Sequence, residues 1–207
     1  KTNNWLYAAD SWSGRILKFD LEGNLHLTFG DCCGSNDEYL YYPRGLAVDT
    51  EGNILVADSN GRQIKKFSSE GVFISTHGIW GEGDYQMKSP VDIAIDPEGN
   101  YYIFDEDLFR IQKYNSNWNW MFNTGERGSD HGKFLSPSSI AVDNNNIYAI
   151  DSEKQSVQVF NKENGAFISE FGSFGSSDGQ LNSPWGIAID NDGNLFIAEG
   201  IGGRIQK

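Results

Sequence analysis

Long apolar runs are missing from this chain of 207 residues. No stretch approaches the roughly 18 consecutive apolar residues that a membrane-spanning helix needs, so membrane insertion is not expected. Helical periodicity is missing as well. No segment places apolar residues at i, i+3, i+4 and i+7 over three turns. Basic charge is scarce, with 16 Lys and Arg against 29 Asp and Glu and a net charge of −13. A domain this acidic repels phosphate backbones and anionic lipid surfaces, so no nucleic acid is expected, while cations and basic partners are favoured. The two cysteines are neighbours, Cys32 and Cys33. They cannot tie distant parts of the chain together; the alternatives are free thiols, a strained vicinal disulfide or an intermolecular bridge. No Cys-x-x-Cys pair suggests zinc, no Gly-x-Ser-x-Gly elbow suggests a serine nucleophile, and no Asn-x-Ser/Thr sequon is present.

What the chain has is aromatic bulk (14%), 24 glycines and only five prolines, four of them evenly spaced. Pro43, Pro90, Pro137 and Pro184 recur at a period of 47 residues. Each opens a similar apolar run: Pro43-Arg-Gly-Leu-Ala-Val-Asp49, Pro90-Val-Asp-Ile-Ala-Ile-Asp96, Pro137-Ser-Ser-Ile-Ala-Val-Asp143 and Pro184-Trp-Gly-Ile-Ala-Ile-Asp190. A Gly-Asn turn follows in three copies, then a second run ending in Asp58, Asp105, Asp151 or Glu199, matched near the N-terminus by Trp5-Leu-Tyr-Ala-Ala-Asp10. A third run begins near Arg15, Arg62, Arg110 and Arg204, and a fourth ends at Phe29-Gly30, His77-Gly78, Thr124-Gly125 and Phe171-Gly172. These short runs are rich in β-branched and aromatic residues, and the Gly-Asn pairs supply the positive φ of tight hairpins. Four strands per repeat of this length is the period of a propeller blade, and only stacked blades hide both faces of such a sheet.

The pattern P-x-x-I-A-V-D, G-N-I-x-V-A-D, R-I-Q-K-F, F-G resembles the NHL-repeat family of β-propellers over nearly the whole chain. The fold class expected is therefore all-β, in one domain (1–207). Its repeats fall at about 1–42, 43–89, 90–136, 137–183 and 184–207. The resemblance implies that the P-x-x-I-A-V-D strand lines a central channel and that the ring has six blades. Eighteen strands are expected here, or about four and a half blades, where six would need about 282 residues. The reading is thus a partial ring, a fragment or a chain completed by another, with open strand edges available for pairing.

Antiparallel topology puts the loops between strands two and three, and those leading to the next blade, on one face, here termed upper. Residues that recur in every copy, the terminal Asp and the Arg of the third strand, are read as turn caps and ion pairs. The loop Asp190-Asn-Asp-Gly-Asn194 resembles a calcium loop but lacks its later Glu. No cofactor is expected; calcium is the alternative, with Asp190, Asp192 and Asn194 as its candidate ligands. His26, His77 and His131 occupy unrelated repeat positions and do not form a metal set. In a repeat scaffold, function tends to sit where copies differ. Trp12, Tyr39, Tyr41, Tyr42, Trp80 and Tyr85 in upper-face loops, and Trp118 at a lower turn where another copy has Gly71, are the candidate binding residues, suited to a protein interface or to stacking on a sugar. Trp5, Trp120 and Trp185 are expected in the core.

The function expected is a non-enzymatic scaffold for protein interaction or self-assembly, extracellular or surface-attached, with cytoplasmic residence the alternative. The RNA-binding members of the family use a basic face that this chain does not have. Other NHL-like propellers are enzymes. The second expectation is therefore a metal-dependent lyase or lactonase-like hydrolase working at the channel mouth, although the resemblance carries over no set of three converging histidines.

Overall fold

The structure is a computed structural model describing residues 5–32 and 36–207, and no helix occurs among them. Five antiparallel sheets follow one another along the chain. The first holds β1 (Leu6–Asp10), β2 (Arg15–Phe19) and β3 (Leu25–Phe29). The second holds β4 (Pro43–Val48), β5 (Ile54–Asp58), β6 (Gln63–Phe67) and β7 (Phe73–His77). A two-residue parallel pair, β8 (Ile79–Trp80) and β9 (Gln86–Met87), sits in the loop to the third sheet. That sheet comprises β10 (Pro90–Ile95), β11 (Tyr101–Asp105), β12 (Arg110–Tyr114) and β13 (Trp120–Thr124). The fourth comprises β14 (Pro137–Val142), β15 (Asn146–Asp151), β16 (Ser156–Asn161) and β17 (Phe167–Phe171). The fifth ends the chain with β18 (Pro184–Ile189), β19 (Leu195–Glu199) and β20 (Arg204–Gln206). Setting aside the short pair, the strands number eighteen as expected, and the described residues form five sheets and no sixth.

The inner strands β4, β10, β14 and β18 lie side by side around the axis. β4, β10 and β18 are partly buried and β14 is buried from Pro137 to Ala141; the strands buried at every residue are the second ones, β5 and β11. The core is accordingly a series of layers between sheets. Ile16, Phe29 and Leu40 meet Ile54, Val56 and Phe67 in the first layer. Leu55, Ile64 and Met87 meet Ile93, Tyr101 and Ile103 in the second. Tyr102, Phe104 and Phe134 meet Ile140, Ile147 and Phe160 in the third, and Ile150, Val157 and Leu181 meet Ile197 in the fourth. One residue of each layer comes from an interblade loop, always three positions before the repeat proline: Leu40, Met87, Phe134 or Leu181. Burying each of these large side chains contributes about 1.5–3 kcal/mol, so the loop residue is a wedge that joins one blade to the next.

The recurrent polar residues serve this frame. Asp151 accepts backbone N–H groups of Leu135 and Ser136 in one loop and of Glu153 and Lys154 in another. Asp105 does the same for Lys88, Ser89 and Leu108. The arginines do less pairing with these acids than the sequence suggested. Arg15 pairs with Asp10 at 3.0 Å and Arg204 with Glu199 at 2.7 Å, but Arg110 donates to the carbonyls of Gly83 and Gln86. It pins an interblade loop instead.

Every ladder between first and second strand carries a bulge just after the repeat proline, at Pro43/Leu46, Pro90/Asp92, Pro137/Ser139 and Pro184/Gly186. A bulge re-aims the side chains beside it. Trp185, expected in the core, is therefore turned out and 53% exposed. Trp120 is also outside, 38% exposed, because Trp118 has taken the space between the second and third sheets. Trp5 is half-buried, with Lys18 Nζ 4.5 Å from its ring centre and His26 at its edge.

Candidate functional site

The four bulges set the two residues after each proline around the upper end of the channel. In order these are Arg44 and Gly45, Val91 and Asp92, Ser138 and Ser139, Trp185 and Gly186. Backbone pattern is shared, chemistry is not. Arg44, Gly45, Val91, Asp92, Ser138, Ser139 and Trp185 line a cavity of about 250 Å3.

Asp92 is its centre. One carboxylate oxygen accepts from Ser139 Oγ at 2.7 Å and from Ile140 N at 2.9 Å; the other accepts from Ile93 N at 2.9 Å. Ser139 Oγ in turn accepts from Ile187 N at 3.3 Å, so the carboxylate ties three successive inner strands. Burial pushes the Asp92 pKa up, against the pull of these donors and of the Arg44 guanidinium. Gly45 makes the approach possible, because a Cβ there would lie 2.3 Å from an Asp92 oxygen.

Arg44 reaches sideways to Glu106 at 2.7 Å. Glu106 is itself a departure from the repeat. In three copies the residue after the second-strand Asp is a serine, and Ser11, Ser59 and Ser152 each donate to the carbonyl of the following proline. The third copy has Glu106 there, and it turns to Arg44. Trp185 completes the wall, its indole N–H held by Ser183 Oγ at 2.8 Å. The mouth thus offers a guanidinium, a buried carboxyl, two hydroxyls and an indole. That set suits a small ligand with polar edges and a flat face. None of these residues stood out by recurrence; the signal in the sequence was that the copies differ at these positions.

The residues singled out from the sequence fall into three places. Trp12, Tyr41 and Tyr42 meet on the upper rim between the first and second sheets. Trp12 is 87% exposed and lies edge-on to Tyr42, with ring centres 5.9 Å apart. Asp58 fixes this loop through Tyr41 N at 2.6 Å, and burial raises its pKa to about 6. Tyr39 is half-buried beside the rim, its carbonyl accepting from the buried Lys65 Nζ. Trp80 stands apart, exposed, with the Arg62 guanidinium 5.3 Å from its ring centre. Tyr85 and Trp118 come together in a separate groove with Tyr114 and Trp120.

Cys32 is half-buried, while Cys33 lies outside the described residues, so the disulfide expectation falls there too. The Asp190 carboxylate accepts from Asp192 N and from both the backbone and side-chain nitrogens of Asn194. Those donors hold its pKa below the ordinary carboxylate range. His131 pairs with Glu170 at 2.7 Å and His26 with Asp20 at 2.9 Å, well apart in the chain and the fold. Among the described residues no group of three or more His, Cys, Asp or Glu is gathered as a metal set.

The NHL-repeat model matches residues 40–67 and 134–160. No curated protein matches the chain. Among solved structures, a catalytically inactive virginiamycin B lyase of Staphylococcus aureus with quinupristin is similar with a TM-score of 0.69 and 14% identity. The match covers 99% of this chain and 62% of that one. A streptogramin B lyase is similar at 0.61 and 13%, over 99% of this chain and 75% of its own. A gluconolactonase of Xanthomonas campestris is similar at 0.71 and 17%, over 96% and 67%. At these identities the likeness is one of fold, and the chain spans less than two thirds of the first lyase. Repeat period and sheet order make this chain a β-propeller, and two of its repeats match the NHL repeat.

Proposed function

We propose that the chain is a non-enzymatic propeller that binds a protein partner on its upper face, outside the cell or at its surface. The observation that carries this is the rim cluster. Trp12 is almost fully in solvent, braced by Tyr42, on loops that differ from the other copies. Aromatic side chains held rigidly in solvent are typical anchors of interfaces. The net charge of −13 favours a basic partner, and a second copy joined at a sheet edge is the self-assembly form of the same reading. Few thiols and high acidity favour an extracellular setting.

The test is capture from the extracellular fraction of the source organism by the purified chain. A partner held by the wild type and by a Phe174→Ala control, but lost from a Trp12→Ala, Tyr42→Ala double variant, is the expected result. Equal capture by all three overturns the reading.

A second reading rests on the mouth. Arg44, Asp92, Glu106 and Ser139 converge where propeller enzymes could do chemistry, and proteins of similar fold include a virginiamycin B lyase and a gluconolactonase. Turnover of a lactone or of quinupristin that disappears in Arg44→Ala and Asp92→Asn would support it. Absence of turnover leaves the mouth as a binding subsite.

A further inference from the structure

The interface between the second and third sheets is built unlike its neighbours. At the first interface the turn glycine, Gly71, sits against Phe29, and a Cβ there would come within 2.7 Å of that ring. At the third, Gly165 sits against Phe122 and Thr124 in the same way. At the second interface the large and small partners are exchanged. The turn residue is Trp118, held at φ 62°, and the residue before Gly78 is His77 instead of phenylalanine. The two rings stack at 3.8 Å with 5° between their planes, and Tyr101 stacks on the same indole at 4.1 Å.

This exchange displaces Trp120. The equivalent Phe73 and Phe167 pack onto Phe67 and Phe160. Trp120 stands outside and becomes a wall. Ile79, Tyr85, Tyr114, Trp118, Asn119 and Trp120 now line an open groove of about 510 Å3.

The chemistry of this groove is specific. Four of its walls are aromatic and none is charged, on a chain whose net charge is −13. A lining without charge offers no ion pair to a cation or an anion and accommodates a neutral ligand. The Trp120 indole N–H is taken by Asn123 Oδ1 at 3.0 Å, which fixes the ring and presents its face. The Tyr114 hydroxyl is likewise taken, by the Tyr85 carbonyl at 3.1 Å. The Asn119 amide lines the groove and gives it a planar donor and acceptor beside an apolar floor. Rigid aromatic faces with an amide beside them suit a ligand that is apolar on its faces and hydroxylated around its rim.

We propose that this groove is a saccharide-binding site, with a neutral pyranose ring lying on the Trp120 indole and its hydroxyls meeting the Asn119 amide. A proline-rich peptide is the competing occupant of an aromatic groove. It is disfavoured because its backbone carbonyls need donors and the indole N–H is already engaged. The site is separate from the upper rim and from the mouth.

The experiment is a titration of the whole protein with neutral hexasaccharides of β-linked glucose, xylose, mannose and N-acetylglucosamine, and with decaproline. Tryptophan fluorescence and ligand-observed NMR are the readouts. The expected result is saturable binding of at least one saccharide. It weakens by about tenfold or more in Trp120→Ala, and in Tyr85→Ala, and is unchanged in Trp12→Ala. Trp120 and Tyr85 are exposed, so both variants should fold, and matching circular dichroism and melting curves verify this. No saturable binding of any saccharide in the millimolar range overturns the proposal. So does saccharide binding that survives both groove variants, or Trp120-dependent binding of decaproline alone.

Discussion

Asp151 shows what a repeated carboxylate does in this fold. It is fully buried and accepts four backbone N–H groups from two loops. Removing it strands those donors without solvent, so Asp151→Ala should cost about 3 kcal/mol or more, read by urea unfolding. That role was legible, because a residue present in every copy serves the copy. Arg44, Asp92 and Glu106 were not legible for the opposite reason. Arg44 and Asp92 sit where the copies share no common residue and Glu106 where most have serine, and only the folded ring brings the three to one mouth. His77 gives a second test at this scale. Burial, with help from Lys66, lowers its pKa from 6.5 to about 4. The folded state therefore prefers the neutral ring. Its contribution is full above pH 6.5 and is lost as pH falls through 4. Asp58 acts in the opposite sense, since its pKa rises from 3.8 to about 6 and its contribution declines as pH rises across that window. The difference between wild type and His77→Phe isolates the histidine. It should shrink by about 1 kcal/mol in wild-type stability between pH 6.5 and 4, after discounting for the half-exposed ring. A constant difference would show that the ring takes up its proton alike in both states, so that folding does not lower its pKa.

At the scale of the element, the turns and loops decide how blades join. Strand positions followed from the alternation of short apolar runs and Gly-Asn turns, and the wedge residue three places before each proline is regular enough to be read once its burial is known. The exchange at the second interface was half legible. Trp118 stood out as an aromatic where a turn glycine belongs, but its partner His77 did not, and the exposure of Trp120 depends on both. Trp118→Gly should relieve a backbone at φ 62° and lose two ring stacks. Relief of that conformation returns about 1 kcal/mol, while truncation of a packed tryptophan costs about 3–5. The net expected is a loss of about 2–4 kcal/mol, measured as a lower urea midpoint. The double variant Trp118→Gly with His77→Phe restores the pairing used at the first interface and should recover part of that loss. A double variant no more stable than Trp118→Gly alone would mean that the two positions are not coupled.

At the scale of the molecule, the charge count understates how acidic the surface is. Lys18, Lys65, Lys113 and Lys162 are four of the sixteen basic residues, and all are buried. Lys18 donates to the Ser69 carbonyl at 2.6 Å, Lys113 to the Lys162 carbonyl at 2.8 Å, and Lys65 to the carbonyls of Asp37 and Tyr39. Lys162 joins Glu98 at 2.7 Å and Asp96 at 3.6 Å. In the sequence Lys18, Lys65 and Lys113 lie in the R-I-L-K, Q-I-K-K and R-I-Q-K strands and Lys162 follows the S-V-Q-V-F-N strand, where a solvent-facing side chain is the ordinary expectation. Here they cross from one blade to the next. The remaining surface carries few cations among many carboxylates, and the exposed pairs, such as Lys88 with Glu82 and Lys133 with Glu126, contribute little each. Self-repulsion should then outweigh attraction at low ionic strength. Raising sodium chloride to about 0.5 M shortens the screening length to roughly 4 Å and should raise Tm by a few degrees. The buried lysine contacts are shielded from salt and should not weaken. A Tm that falls with salt would mean that surface ion pairs, and not repulsion, dominate. The association rate with a basic partner should respond in the other direction, slowing as salt rises, because the same acidic field that strains the fold attracts such a partner.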